Sequence, residues 1–220
     1  MAILAKGSEG GDFKPVPEGA HLARCVTVVD CGMQKTEWQG QEKWQHKVWI
    51  AFEVPAVRVQ WTKDDKEHEG PAIIGKLYTN NIGDKAHLGQ HLASWRGKSF
   101  TGVEIRDGFD VGVLLDKPCQ ISVTHNEKGD RTYANITGIM GLPAGVEVPE
   151  RETELTLYDP DAAEASQVFD KLPKWLQEKC TFGHRLDQPK DFANNGLAQP
   201  QRQETYSPEG AKDFSDDIPF

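Results

Sequence analysis

Residues 43–54 read KWQHKVWIAFEV. Trp44, His46, Val48, Ile50, Phe52 and Val54 fall on one side of an alternating pattern, and Lys43, Gln45, Lys47, Trp49, Ala51 and Glu53 on the other. Apolar residues at period two predict a strand with one buried face. The even side is the better core face. That leaves Trp49 pointing away from the core beside two lysines.

Working outward, the same period recurs. HLARCVTVVD (21–30) predicts a first strand, joined to the second through a turn at Gln39–Gly40, and IIGKLYTN (73–80) predicts a third. Between the second and third, AVRVQWTKDDKEHEGPA (56–72) predicts a protruding loop or ribbon with an acidic tip. DKAHLGQHLASWRG (84–97) opens with an Asp suited to capping and sets Leu88, Leu92 and Trp95 on one side at i, i+4 and i+7, which predicts a helix. Residues 98–117 read as an irregular connection with a short helix at 109–115. CQISVTH (119–125), the turn NEKGD and RTYANITGIM (131–140) then form a hairpin.

Three strands, a helix and two strands is the order of an OB-fold, a five-stranded, partly open Greek-key barrel. The expected division is a flexible N-terminus at 1–12 and the barrel at 13–142. An extension follows at 143–185, in which LPKWLQEKC (172–180) forms a short helix docked by Trp175 and Leu176. A disordered linker rich in Gln, Asn, Pro and Gly, with an acidic tip, takes 186–220.

Net charge is −9 over 220 residues, which argues at first against an anionic partner. Its distribution changes that. Residues 1–142 carry 17 basic and 18 acidic side chains, whereas 143–185 carry 5 and 9, and 186–220 carry 3 and 7. A nearly neutral body can hold a basic groove. No apolar run reaches the length of a membrane span and the N-terminus is too short for a signal-peptide core, so no membrane is implied and a cytoplasmic location is expected. Cys25, Cys31, Cys119 and Cys180 lack C-x-x-C pairing and read as reduced structural thiols rather than a zinc site or disulfide framework.

On the third strand Ile73 and Leu77 are expected on the core side, with Lys76 and Tyr78 outward. In the last hairpin Ala134 and Ile136 are expected inside, with Tyr133 outward near Lys128 and Arg131. Outward aromatics flanked by cations on successive strands suit a single-stranded nucleic acid: bases stack on the rings without sequence readout and lysines follow the phosphates. Trp49, Tyr78 and Tyr133 are therefore the stacking candidates, and Lys43, Lys47, Lys76, Lys128 and Arg131 the phosphate candidates. No nucleotide-binding loop, zinc-protease or nucleophile-elbow motif is present, so no catalytic residue, cofactor or metal ligand is assigned. His87 and His91, four apart, make at best half a metal site and read better as a solvated helix face. Carboxylates are plentiful and could form a dispersed Mg²⁺ site that no motif betrays. EIRDGFD (104–110) is the densest candidate, but its Gly and irregular pattern read better as a connecting loop.

Two stretches carry a resemblance. DFSDDIPF (213–220) resembles the acidic tip that ends bacterial single-stranded DNA-binding proteins. HKVWIAFEV, SWRGKSFT, FDVGVLL, RTYANITGI and LPKWLQEKC are similar to a family of phage proteins of this size described as single-stranded DNA-binding, over most of residues 13–185. The resemblance implies an OB-fold and a part in phage DNA replication or recombination in the infected bacterial cell. It also implies that the tip docks on host or phage replication and repair proteins. Phe220 would enter an apolar pocket with its carboxylate against a basic residue. Asp213, Asp216 and Asp217 would meet Lys or Arg, Pro219 would keep the approach extended, and Phe214 and Ile218 would add apolar contact. Ser215 interrupts the carboxylates, and the body does not align with the bacterial type, so its tetramer is not carried over and the oligomeric state stays open. Two alternatives remain: a metal-dependent nuclease of phage recombination, and an acidic protein that mimics DNA.

Overall fold

The computed structural model describes residues 15–38, 40–63, 66–129 and 131–185. The expected N-terminal segment at 1–12 and the linker and tip at 186–220, with Asp213, Phe214, Asp216, Asp217, Ile218, Pro219 and Phe220, lie outside the described residues. The described chain is predominantly β. Strand β1 (Gly19–Trp38) pairs antiparallel with β2 (Gln41–Lys63), and β2 with β3 (Lys66–Thr79). Strand β4 (Pro118–Lys128) pairs with the other edge of β1 and with β5 (Arg131–Met140), giving the order β3-β2-β1-β4-β5.

This antiparallel sheet curls until its two edges approach. There the Lys76 ammonium on β3 donates to the carbonyl oxygen of Ile136 on β5 at 2.6 Å. The ribbon expected at 56–72 is the outer end of β2 and β3, paired from Arg58↔Pro71 to Lys63↔Lys66 beyond an irregularity between Val54 and Arg58.

The inside of the curl holds the main core. Val48, Ile50, Phe52 and Val54 from β2 meet Ile74, Ile121, Val123, Ile136 and Ile139. Helix α1 (His87–Arg96) follows β3 and brings Leu88, Leu92 and Trp95 into this core, as its spacing predicts. Gly97 ends it in the left-handed region, at φ 70°. The indole N–H of Trp95 donates to the Pro118 carbonyl, so the largest buried ring leaves no orphan donor.

A short helix α2 (Gly102–Asp107) and a 3₁₀ turn (Val111–Leu114) form the connection expected to be irregular. Thr101 and Glu104 make a capping box at the start of α2, and Glu104 also accepts from Arg96 at 2.6 Å.

A second, smaller core lies on the outside of the sheet. Val29 and Cys31 of β1 pack against Tyr158, Leu172, Leu176 and Cys180. These come from strand β6 (Thr156–Tyr158), helix α3 (Ala165–Lys171) and helix α4 (Lys174–Gly183). β6 runs parallel to β1 and takes up its edge at Thr27–Val29, beyond the stretch paired with β4. The first strand is thus buried on both faces, with Val28 in the main core and Val29 in the outer one.

The docking of α4 is close enough to exclude side chains. A Cβ at Gly183 would lie 1.8 Å from the Cys31 carbonyl oxygen, and one at Gly32, itself at φ 64°, would lie 2.4 Å from the Gly183 carbonyl oxygen. The helix expected at 172–180 is therefore present, but Leu176 and Cys180 anchor it, while Trp175 stays 43% exposed. Strand β6 and helix α3 were not foreseen. All four cysteines are buried free thiols.

Candidate functional site

The outer face of β2 changes character along its length. At one end Glu53 is fully buried, and its carboxylate accepts from the backbone N–H groups of Glu152 at 3.0 Å and Thr153 at 2.8 Å. Next along, Ala51 is buried, and the Trp49 ring lies so close over Gly75 that a Cβ there would sit 2.2 Å from it. An edge contact joins Trp49 to Trp175 of α4, with ring centroids 4.8 Å apart at 82°. Beyond Trp49 the cover stops, and Lys47, Gln45 and Lys43 follow on the same face.

These residues line a cavity of about 390 Å³ with Lys76, Leu77 and Thr79 of β3 and with Lys85 and His87, which lead into α1. Its lining has four lysines and no carboxylate. That segregation stands against a chain of net charge −9.

Local contacts hold the ammonium groups in place. The Lys47 Nζ donates to Gln45 Oε1 at 2.9 Å and to Thr79 Oγ1 at 2.7 Å, which points it across from β2 to β3. Burial lowers its pKa, and neighbouring Lys43 lowers it further. Burial also lowers that of Lys76, whose ammonium sits 5.5 Å from the Tyr78 ring centroid. Partly desolvated, mutually repelling cations gain more from an incoming anion than solvated ones do.

Beneath the pocket Tyr78 and His91 form a buried pair, with the phenol oxygen 2.8 Å from Nδ1. Burial pushes the His91 pKa down to about 4, helped by the Lys76 charge and opposed by a hydrogen bond to the Thr137 backbone. Neutral His91 therefore accepts a hydrogen bond from the Tyr78 hydroxyl on Nδ1 and donates from its other nitrogen to the Thr137 backbone, linking β3 to β5 through α1.

The structure brings Lys43, Lys47 and Lys76 to one pocket, but Lys76, expected to point outward, pairs with core-facing Ile50 and shares the inward side of its strand with Ile74 and Tyr78. Tyr78 requires correction. It is 2% exposed, belongs to the core and offers the pocket an edge rather than a free face. The third strand is reversed from expectation: Ile74 and Tyr78 point inward, whereas Ile73 is 43% exposed and Leu77 faces the outer cluster. Register with β2 decides this, because Val48 pairs with Tyr78 and Phe52 with Ile74.

Trp49 takes the outer face expected of it, but helix α4 covers it and leaves it only partly exposed. Tyr133 is outward and 46% exposed. With Lys128 and Arg131 it occupies the β4–β5 hairpin and does not line the pocket. His91, expected on a solvated helix face, is buried instead.

Lys85 and His87 were missed as site residues. The only signal for them was their place at the start of α1, with Lys85 just before the helix and His87 its first residue. The carboxylates of 104–110 are each engaged: Glu104 with Arg96 and Thr101, Asp107 with Arg106, and Asp110 with the Gly112 N–H. Among the described residues no group of three or more His, Cys, Asp or Glu side chains is placed to hold a metal ion, and no helix is long and apolar enough to cross a membrane. No protein-family model matches the chain, and no curated protein matches it in sequence.

Proposed function

We propose that the protein binds single-stranded DNA, without strong sequence preference, in the lysine-lined pocket of an OB-fold. The observation that carries this reading is the pocket itself: four lysines and no carboxylate on a chain of net charge −9. Strand order β3-β2-β1-β4-β5, a helix between β3 and β4, and the approach of β3 to β5 are those of the OB barrel. The ligand face of that fold is the surface of strands 2 and 3 with the loops beside it. Lys43, Lys47 and Lys76 line the pocket, and Lys128, Arg131 and Tyr133, on the β4–β5 hairpin outside its lining, are the further contacts of this reading.

The phosphates pair with the lysines and the bases stay unread, which gives affinity that falls with salt. The acidic tip at 213–220 recruits replication or repair proteins while the body protects the strand, in phage replication or recombination. A cavity lined with lysines does not suit a protein whose surface imitates DNA.

Anisotropy titration of labelled oligo-dT and a matched duplex into the full chain, across a salt series, tests the reading. Preferential single-strand binding that weakens with salt supports it. No binding at low salt, by the full chain or by one lacking 213–220, sinks it, and Mg²⁺-dependent cleavage of the labelled strand would replace it with a nuclease.

A further inference from the structure

The lysine pocket has an aromatic neighbour that no strand supplies. Trp175 is the second residue of α4 and 43% exposed, while the next residue, Leu176, is buried in the outer core. Leu176 and Cys180, four apart, fix the rotation of α4, and Gly183 lies directly on β1. Upstream, the Gln177 amide donates to the carbonyls of Phe169 and Leu172 at 3.1 and 2.8 Å and ties the α3–α4 turn. One flank of the indole rests on the Trp49 edge. The remainder is presented to solvent on a helix that cannot turn it inward.

Its position relative to the pocket is set by two residues. Lys47 precedes Trp49 by two on the same face of β2, a separation of roughly 6.5–7 Å along the strand. Leu77 lines the pocket and also packs against the apolar cluster that holds Trp49 and Leu176. The cationic pocket and the exposed indole therefore border the same apolar cluster, the pocket through Leu77 and the indole through Trp49. A flat apolar group joined to an anion matches that pair, which is how a single strand presents each base beside its phosphate.

We infer that Trp175, on the C-terminal extension, is the base-stacking platform of this site, with Trp49 beneath it as a positioning residue. This rests on the single-strand reading of the pocket. It makes α4 part of the binding surface rather than only a cover for the sheet.

Trp175→Ala and Trp175→Phe in the full chain test it against oligo-dT and a base-free deoxyribose-phosphate oligomer of equal length. Stacking on aromatics spans roughly 1–3 kcal/mol per base, so Trp175→Ala should weaken oligo-dT binding by roughly 5- to 150-fold. It should leave the base-free oligomer and the salt slope nearly unchanged, with Trp175→Phe in between. Unchanged oligo-dT affinity, or equal losses on both ligands, overturns the inference while leaving the pocket reading intact; failure of the wild type to bind either ligand overturns both. Photocrosslinking of wild-type protein to a bromodeoxyuridine oligomer covers a variant that fails to fold. Attachment at Trp175 supports the assignment, and attachment only at Trp61 or Tyr133 refutes it.

Discussion

Lys76 on β3 donates across the seam of the sheet to Ile136 on β5, so a cation of the pocket also holds two strands together. Lys47, by contrast, donates to two side chains, Gln45 and Thr79. The two lysines therefore separate on substitution. Lys47→Ala should weaken oligo-dT binding and reduce the salt slope by about 0.7, one phosphate contact, with little change in unfolding midpoint. Lys76→Ala should do the same and also cost about 1.5–3 kcal/mol of stability, the range for hydrogen bonds from charged groups. Equal stability of the two variants in urea would refute the seam role.

The lowered pKa values of Lys47 and Lys76 give binding a pH signature. An anion binds the protonated ammonium, and these two release their protons below the ordinary lysine value of about 10.4. As pH rises, affinity should fall before solvated lysines titrate, and the fall should move upward in a Lys47→Arg, Lys76→Arg variant. A wild-type profile superimposable on that of the arginine variant would contradict this.

His91 makes stability sensitive to mild acid. Its folded pKa of about 4 lies below the ordinary 6.5. Above the ordinary value it is neutral in both states and contributes no pH dependence. As pH falls from there to about 4 the unfolded chain takes up a proton that the folded one refuses, and up to ~3 kcal/mol is lost. The Glu104 carboxyl adds a later loss. Burial would raise its pKa, but the Thr101 N–H and Arg96 outweigh that and hold it at about 2. Denaturation of wild type and His91→Gln at about pH 7 and about pH 4 should show the smaller acid loss in the variant, and equal losses would rule His91 out.

Gly183→Ala tests how firmly the extension is held. The new methyl would overlap the Cys31 carbonyl, a backbone atom that cannot swing away. A cost of 1–3 kcal/mol or more is expected, by analogy with overpacked cores, together with faster proteolysis within residues 156–183. Unaltered protection of that segment would mean that α4 tolerates a shift.

The sequence made some of this legible and not the rest, for physical reasons. The alternation in 43–54 and the spacing of Leu88, Leu92 and Trp95 identified the residues that enter the main core from Val48 onward, but not the burial of Ala51 and Glu53 on the other side of β2 or the contact of Trp44 with Phe182 of α4. The third strand has adjacent Ile73 and Ile74, so alternation alone does not choose between faces. The choice rests on Phe52 pairing with Ile74. Strand β6, with three residues, carries too short a pattern to read. The cover over Trp49 depends on a helix that returns from more than a hundred residues away, and no local period records that. Lys43, Lys47 and Lys76 were legible singly and Lys85 was not, and their meeting depended on the register of β2 with β3 and on the turn leading into α1.

The pairing of β1 with both β6 and α4 also sets an order of events during synthesis. Val29, Cys31 and Trp49 are made early, and the residues that cover them, from Thr156 to Gly183, follow more than a hundred residues later. At roughly 5–20 residues per second, the interval is about 6–27 s. Throughout it the nascent sheet presents its outer apolar stripe uncovered, a surface suited to chaperone capture or to aggregation with another unfinished copy.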